Sequence, residues 1–481
     1  MDTIKIGYAP TRRFVFSRED AHKYKRLTLE KAKALSGAMG NVDFIDLEGI
    51  NEEGLLYDND TDAAKIIRRF QQEEVDALFF PHCNFGTEDT VAKVAKALGK
   101  PVLLWGPRDE APLGDGSRLR DTQCGLFATG KILRRFDVPF TYIVNSAVDD
   151  PVFSRGLTNF IAAANVVKQF RTLRILQIST RPASFWTMMY NEGELLERFG
   201  IQVFPITLQD IHRAVEELEQ ENGADVQDTV ALIHAKLDCS EVNEEAIRRI
   251  AALKVAMQRF AADNGCSAAA IQCWDALQDS IGIMPCLANA LLTDEGIPVT
   301  CETDIHGAIT SLMAQAAAMG KSAPFFADLT VRHPQNNGGE LLFHCGNFPV
   351  SLVCEGCMPR LRTHFLFDSH APGTHESEIR GGEVSIVRFD GDHGEYSLFL
   401  GKAKGIQGPY TRGTYIWVEV SDWPLWEERL VTGPYVHHCV GIHHDVIPAL
   451  YTACRYIPGL TPDLVDPTEA QVQAWLRGGE Q

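Results

Sequence analysis

The sequence is poor in basic charge and has no long uninterrupted apolar runs. Lys and Arg number 45 against 64 Asp and Glu, a formal net charge of −19. A surplus of that sign repels phosphate backbones and anionic lipid surfaces, so nucleic-acid and membrane partners are not expected. No apolar run approaches the roughly 18 residues that a membrane span needs. The opening "MDTIKIGYAPTRR" enters a strand pattern without a signal-peptide core, which sets a cytoplasmic expectation. Repeats, heptads and low-complexity segments are also lacking, which argues against solenoids and coiled coils. Cysteine is not scarce at twelve residues, but suitable pairing is. Only "CEGC", Cys354 and Cys357, has a metal-like spacing, and no second pair accompanies it. Other cysteines lie in apolar stretches such as "IQCWDAL", as reduced core thiols do.

At 481 residues the chain exceeds one compact core, and the composition, 45% hydrophobic and 23% charged, is that of a globular protein. Through the first two thirds, short apolar runs alternate with amphipathic stretches, the pattern of parallel sheets covered by helices. "IKIGYAP", "VDALFFPH" and "PVLLWGP" read as strands of one unit. "TLRILQIS", "IQVFPIT", "AAAIQCW" and "IPVTCET" read as strands of another, with a long polar helix expected from Asp210 to about Lys236. Beyond about residue 320 the texture turns β-rich, with runs such as "APFFADLTV", "ELLFHCG", "THFLFDS" and "TYIWVEV" and turn signals such as "DGDHGE". The expected architecture is α/β: two Rossmann-like domains, 1–170 and 171–320, then a barrel-like domain, 321–481.

Within this frame, Glu302 stands out at the end of the strand-like "IPVTC", directly before the helical "DIHGAITSLMAQAAAMG", where Asp304 is placed to cap the helix. Asp328 lies near the end of the next strand pattern, "SAPFFADLT". A strand-helix-strand crossover puts both strand ends on one edge of a parallel sheet, the edge where such sheets bind ligands. Two carboxylates in one crevice repel unless a cation or a shared proton relieves them. Ten of the fifteen histidines lie beyond residue 320, among them His344 in "LLFHCGN" and His437, His438, His443 and His444 in "VHHCVGIHH". Carboxylate and imidazole without thiolate suit manganese or iron. Taken singly, each residue has a plainer reading: a cap or surface ion pair for the acids, a backbone-satisfied core histidine for His344.

The segments "CETDIHGAITSLM", "FFADLT" and "HHCVGIHHDVIPAL", in that order, resemble the L-fucose isomerase and L-arabinose isomerase superfamily. The resemblance implies that Glu302, Asp328 and His438 hold Mn²⁺ or another divalent metal, with His344 as a further ligand. Less specific matches cover most of the chain. "KIGYAPTRR" (Arg12, Arg13), "PHCNFGTED" (Asn84) and "AAIQCWDAL" (Gln272, Trp274) resemble segments near the sugar, and His437, standing where the family has Asn, is expected to bind the substrate with them. The chain is shorter than a typical fucose isomerase.

The implied activity is aldose-ketose isomerisation through a cis-enediol, with the metal chelating the sugar diol and Glu302 and Asp328 transferring protons. A homohexamer is implied as well. The implied substrate is a hexose, a 6-deoxyhexose or a pentose, and an anionic sugar, sulfonated or phosphorylated, would fit Arg12 and Arg13 if these reach the pocket. Two other classes fit the same tandem α/β pattern: a sugar-binding protein without chemistry, and a metal-dependent hydrolase.

Overall fold

In the computed structural model the described residues are 3–57, 60–274, 276–367 and 369–479. They form two compact units. The first comprises Met1–Lys168 with Pro448–Pro458 and Glu469–Gln481, the second Gln169–Ile447 with Gly459–Thr468. No helix among the described residues is long and apolar enough to cross a membrane.

The first unit is built on a parallel sheet of β1 (Ile4–Tyr8), β2 (Val42–Ile45), β3 (Ala77–Pro81), β4 (Val102–Trp105) and β5 (Thr141–Tyr142), in the order β2-β1-β3-β4-β5. β3 and β4, "ALFFP" and "VLLW", are buried at every position. Continuous apolar runs of this kind are what a sheet covered on both faces requires. The segments following β1 and β3 carry Arg12, Arg13 and Asn84 at the carboxyl edge of this sheet.

The second unit joins a smaller parallel sheet to a barrel. β6 (Arg174–Ile178), β7 (Gln202–Ile206), β8 (Ala268–Ile271) and β9 (Val299–Thr300) run in the order β7-β6-β8-β9. The remaining strands are β10 (Phe325–Arg332), β11 (Gly339–His344), β12 (Arg360–Thr363), β13 (Pro372–Glu378), β14 (Glu383–Asp392), β15 (Glu395–Ile406), β16 (Thr414–Glu419), β17 (His438–Ile442) and β18 (Leu460–Asp466). Antiparallel pairing runs β16-β11-β10-β17-β14-β15 and closes where β15 pairs with β16, giving a six-stranded barrel. β13 adds to β16, and β18 to β15, both in parallel. "DGDHGE" makes the β14-β15 hairpin: Asp392 opposes Glu395, and His393 and Gly394 both have positive φ, as a tight two-residue turn needs.

The helix Ile305–Ala317 lies between the small sheet and the barrel, against strands of both, and all its residues are buried. Its sequence, "IHGAITSLMAQAA", is apolar nearly all round, as a helix with no solvent face must be. This helix corrects the crossover expectation. β9 and β10, on either side of it, belong to different sheets, because β10 pairs antiparallel with β11 and β17. Three local expectations also change. The polar helix divides into Leu208–Glu221 and Ala224–Lys236, because Asn222 turns left-handed at φ 44° before Gly223. "THFLFDS" keeps β structure only to Thr363. Cys354 and Cys357 form a disulfide, while the other ten cysteines are free.

Candidate metal and sugar site

Glu302 and Thr303 turn the chain from β9 into the buried helix, and both are left-handed, at φ 60° and 57°. Non-glycine residues in this region are strained, by about 1 kcal/mol or more each. The turn is held by Thr303 N–H donating to Ile271 O at 3.1 Å and Asp304 N–H donating to Cys301 O at 3.1 Å. Asp304 caps the helix, accepting from Gly307 N–H at 2.8 Å. A side chain at Gly307 would meet Phe326 at 2.6 Å and Asp304 at 2.7 Å, so glycine is needed for the close approach to β10.

From the barrel side, Asp328 on β10 lies directly opposite His438 on β17. The fully buried His438 Nε2 is 3.2 Å from Glu302 Oε2 and 3.3 Å from Asp328 Oδ1. Nδ1–H donates to Asp304 Oδ2 at 2.9 Å, which fixes the ring and leaves Nε2 toward the two acids. Behind Asp304 a buried relay continues. Arg388 donates to Asp304 at 2.5 Å and through Nε to Asp390 at 2.9 Å, and His306 Nδ1–H donates to Asp390 at 2.9 Å. Among the described residues, one group has donor atoms mutually within 4.8 Å, that of Glu302, His437 and His438. His437 Nε2 is also 3.9 Å from Asp328 Oδ1.

The electrostatics follow from this crowding. Burial opposes charge on His438, but the hydrogen bond to Asp304, the Glu302 carboxylate 3.2 Å away and the charge of Asp328 outweigh it and raise its pKa to about 10. Burial likewise opposes ionisation of Glu302, yet the three histidines, His438 foremost, hold its carboxyl below the usual range. Asp304 is driven far down, the Arg388 guanidinium and His438 overcoming its burial. Burial and the His438 charge lower His437. Carboxylates that retain a proton so firmly on one imidazole form a strongly cation-seeking cluster.

Glu302 Oε2, Asp328 Oδ1, His438 Nε2 and His344 Nε2 are buried without a hydrogen-bond partner. Such atoms are costly unless something bonds them. The first three converge on one point, and their mixed oxygen and nitrogen chemistry suits a divalent cation. His344, like Asp328, lies outside the three-donor group, and its Nδ1 accepts from Cys345 N–H at 2.9 Å, so in the neutral ring Nε2 carries the proton and is a donor.

The other sequence candidates fall into two places. In the first unit, Arg12 pairs with Glu53 at 2.5 Å, Arg13 pairs with Glu88, and Arg13 N–H donates to Asn84 at 2.7 Å. In the second, Gln272 accepts from Ser179 Oγ at 2.7 Å, and Trp274 sits between Phe185 and Phe367, ring centroids 5.0 and 4.9 Å away. The Arg388, Asp390 and His306 relay escaped sequence reasoning. Alternating buried polar residues in "VSIVRFDGD" were the available signal. Cys301, beside Glu302, accepts from the amides of Asn289 and Asn347, each at 3.5 Å, and neither amide has a distinguishing motif.

A family model described as the N-terminal domain of fucose/sulfoquinovose isomerase matches residues 7–171. A sulfoquinovose isomerase from Priestia aryabhattai is 24% identical over 431 residues, covering 88% of this chain and 90% of that protein. A sulfoquinovose isomerase from Alkalicoccus urumqiensis is 24% identical over 377 residues, covering 77% of this chain and 82% of that protein. Among solved structures, a periplasmic solute binding protein from Actinobacillus succinogenes with bound D-allose covers 57% of this chain and 80% of its own. Its identity is 14% and its TM-score 0.16, too low to carry an argument.

Proposed function

We propose that this chain, a fucose isomerase-like sugar aldose-ketose isomerase and so an intramolecular oxidoreductase, is metal-dependent and acts on a sulfonated aldose such as sulfoquinovose. The observation that carries the metal reading is the convergence of Glu302, Asp328 and His438, from three strands or turns, with their facing atoms buried 3.2–3.3 Å apart and in no hydrogen bond. The substrate reading is supported by relatives of that name aligned over most of both chains. His437 completes the donor set, and Mn²⁺ suits it.

A divalent ion bound there would act as a Lewis acid, polarising the sugar's carbonyl and adjacent hydroxyl oxygens. The chain's own groups then divide the proton work. One of Glu302 and Asp328 removes the proton from C2 of the aldose while O1 is protonated, giving the cis-enediol. The other takes the proton from O2 as C1 is protonated, giving the ketose, with no net oxidation. Asp304 holds the His438 tautomer so that the imidazole plane stays aimed at both acids. His344 Nε2–H is a donor to a developing sugar oxyanion. Gln272 and Trp274 bind the sugar body.

Assay of the purified chain with sulfoquinovose in D₂O, after EDTA treatment and after Mn²⁺ readdition, tests this. Ketose with deuterium incorporated at the exchanging carbon, lost with EDTA and regained with Mn²⁺, is expected. Full turnover by metal-free protein overturns the metal reading, and no ketose from any aldose overturns the isomerase reading.

A further inference from the structure

The order β7-β6-β8-β9 reverses direction between β6 and β8. Open parallel sheets bind ligands outside the carboxyl ends of the strands at such a switch point. Two segments flank it here, the loop after β6 that begins at Ser179 and the segment Gln272 to Trp274 after β8. They are tied together three times. Gln272 N–H donates to Ile178 O at 3.0 Å, Ser179 Oγ donates to Gln272 Oε1 at 2.7 Å, and Phe185 rests edgewise on Trp274. On the other flank, Ile271 O receives Thr303 N–H, so the turn bearing Glu302 borders the same crevice.

Arg181 lies two residues after Ser179 and four before Phe185, in "STRPASF". Held between two contacts with the same segment, it has little length of chain with which to leave the crevice. It is half-buried, and its Nη1 donates to the carbonyl oxygens of Pro182 and Ala183 at 3.1 and 3.0 Å. Among the described residues it forms no ion pair. The arginines favoured by sequence for an anion, Arg12 and Arg13, are by contrast each neutralised by a glutamate, and Arg388 is held by two aspartates.

We propose that Arg181 determines specificity by binding the anionic substituent at the far end of the sugar, a sulfonate or a phosphate. The inference rests on the isomerase reading above. β6 lies two strand positions from β9, roughly 10 Å across the sheet. An open-chain hexose whose C1–C2 diol lies at Glu302 extends along this edge toward the β6 loop, and the arginine side chain spans the rest. The guanidinium presents a planar fork of donors matched to sulfonate or phosphate oxygens. The net charge of −19 makes a local cation the more necessary, since the average field repels such a substrate.

The test uses the full chain loaded with Mn²⁺, as wild type, Arg181→Gln and Arg181→Lys, with sulfoquinovose, D-glucose 6-phosphate and D-glucose. Loss of a charged hydrogen-bonding partner predicts a roughly 10- to 100-fold rise in KM for sulfoquinovose in Arg181→Gln. The effect falls on KM more than on kcat, and discrimination against D-glucose collapses. The lysine variant recovers part of the discrimination, and the phosphate arm distinguishes phosphate from sulfonate recognition. Calorimetric binding of sulfoquinovose to the same proteins separates this proposal from the isomerase reading. Binding without turnover overturns isomerisation, while a tenfold weaker Kd in Arg181→Gln still supports Arg181. Turnover or binding within twofold of wild type in Arg181→Gln overturns the role of Arg181.

Discussion

Glu302 and Asp328 each supply an acceptor that an amide cannot, so Glu302→Gln and Asp328→Asn are expected to lower kcat by about 10³-fold or more in steady-state assays. Melting temperatures should hold for Asp328→Asn and fall slightly for Glu302→Gln, because His438 favours the ionised Glu302 in the folded protein. Asp304 is different, since it orients His438, caps the helix and pairs with Arg388. Asp304→Asn preserves the cap but leaves the buried Arg388 with Asp390 as its remaining carboxylate. A stability loss of about 3 kcal/mol, the low end for a broken buried pair, in chemical denaturation follows. Metal affinity by calorimetry should weaken about 10- to 100-fold. Away from the site, Glu340 on β11 is 3% exposed, its Oε2 in no hydrogen bond and 3.9 Å from Arg332. Burial raises its pKa to about 7, Arg332 opposing and Glu427 assisting. A carboxyl raised on folding gives stability that is complete below its unfolded pKa, near 4.5, and lost as pH rises through about 7. Glu340→Gln therefore should stabilise the protein by about 1–2 kcal/mol at pH 8, with little gain near pH 5, in denaturation at the two pH values.

The helix Ile305–Ala317 is the element on which the site depends. A helix-interior glycine is ordinarily improved by alanine, but at Gly307 the added carbon meets Phe326 and Asp304. Gly307→Ala is expected to lower the melting temperature and, by displacing Asp304, the metal affinity as well, read by thermal scanning and calorimetry. Much of this element was legible in advance. Its cap, its apolar surround and the acid before it are local features. The strand pairing around it was not, because an apolar run at a strand end carries no mark of which sheet it will join. Glu302 and Asp328 were thus expected together by a parallel crossover, yet they meet across two sheets, through a histidine more than a hundred residues farther along.

For the whole molecule, family resemblance sets the expectation of a homohexamer, checked by light scattering at micromolar concentration; a monomer would contradict it. The sequence texture marks two parallel α/β sheets and a barrel, and the second sheet and the barrel form one compact unit. The segments Pro448–Pro458 and Glu469–Gln481 return to the first unit, where Arg155 donates to the carbonyl oxygens of Trp475 and Gly479 at 2.6 and 2.8 Å. The sequence by itself determined the α/β-then-β order, the acidic character and the identity of Glu302, Asp328 and His438 as a related set, because periodicity, composition and short motifs are local properties. Only the tertiary structure decided that His438 is oriented by Asp304, itself held by Arg388, that His344 presents a proton, that Arg12 and Arg13 are already paired, and that Arg181 forms no ion pair among the described residues. Those facts depend on which side chains burial brings within about 3 Å of one another, a distance set by packing and hydrogen bonding across segments far apart in the chain.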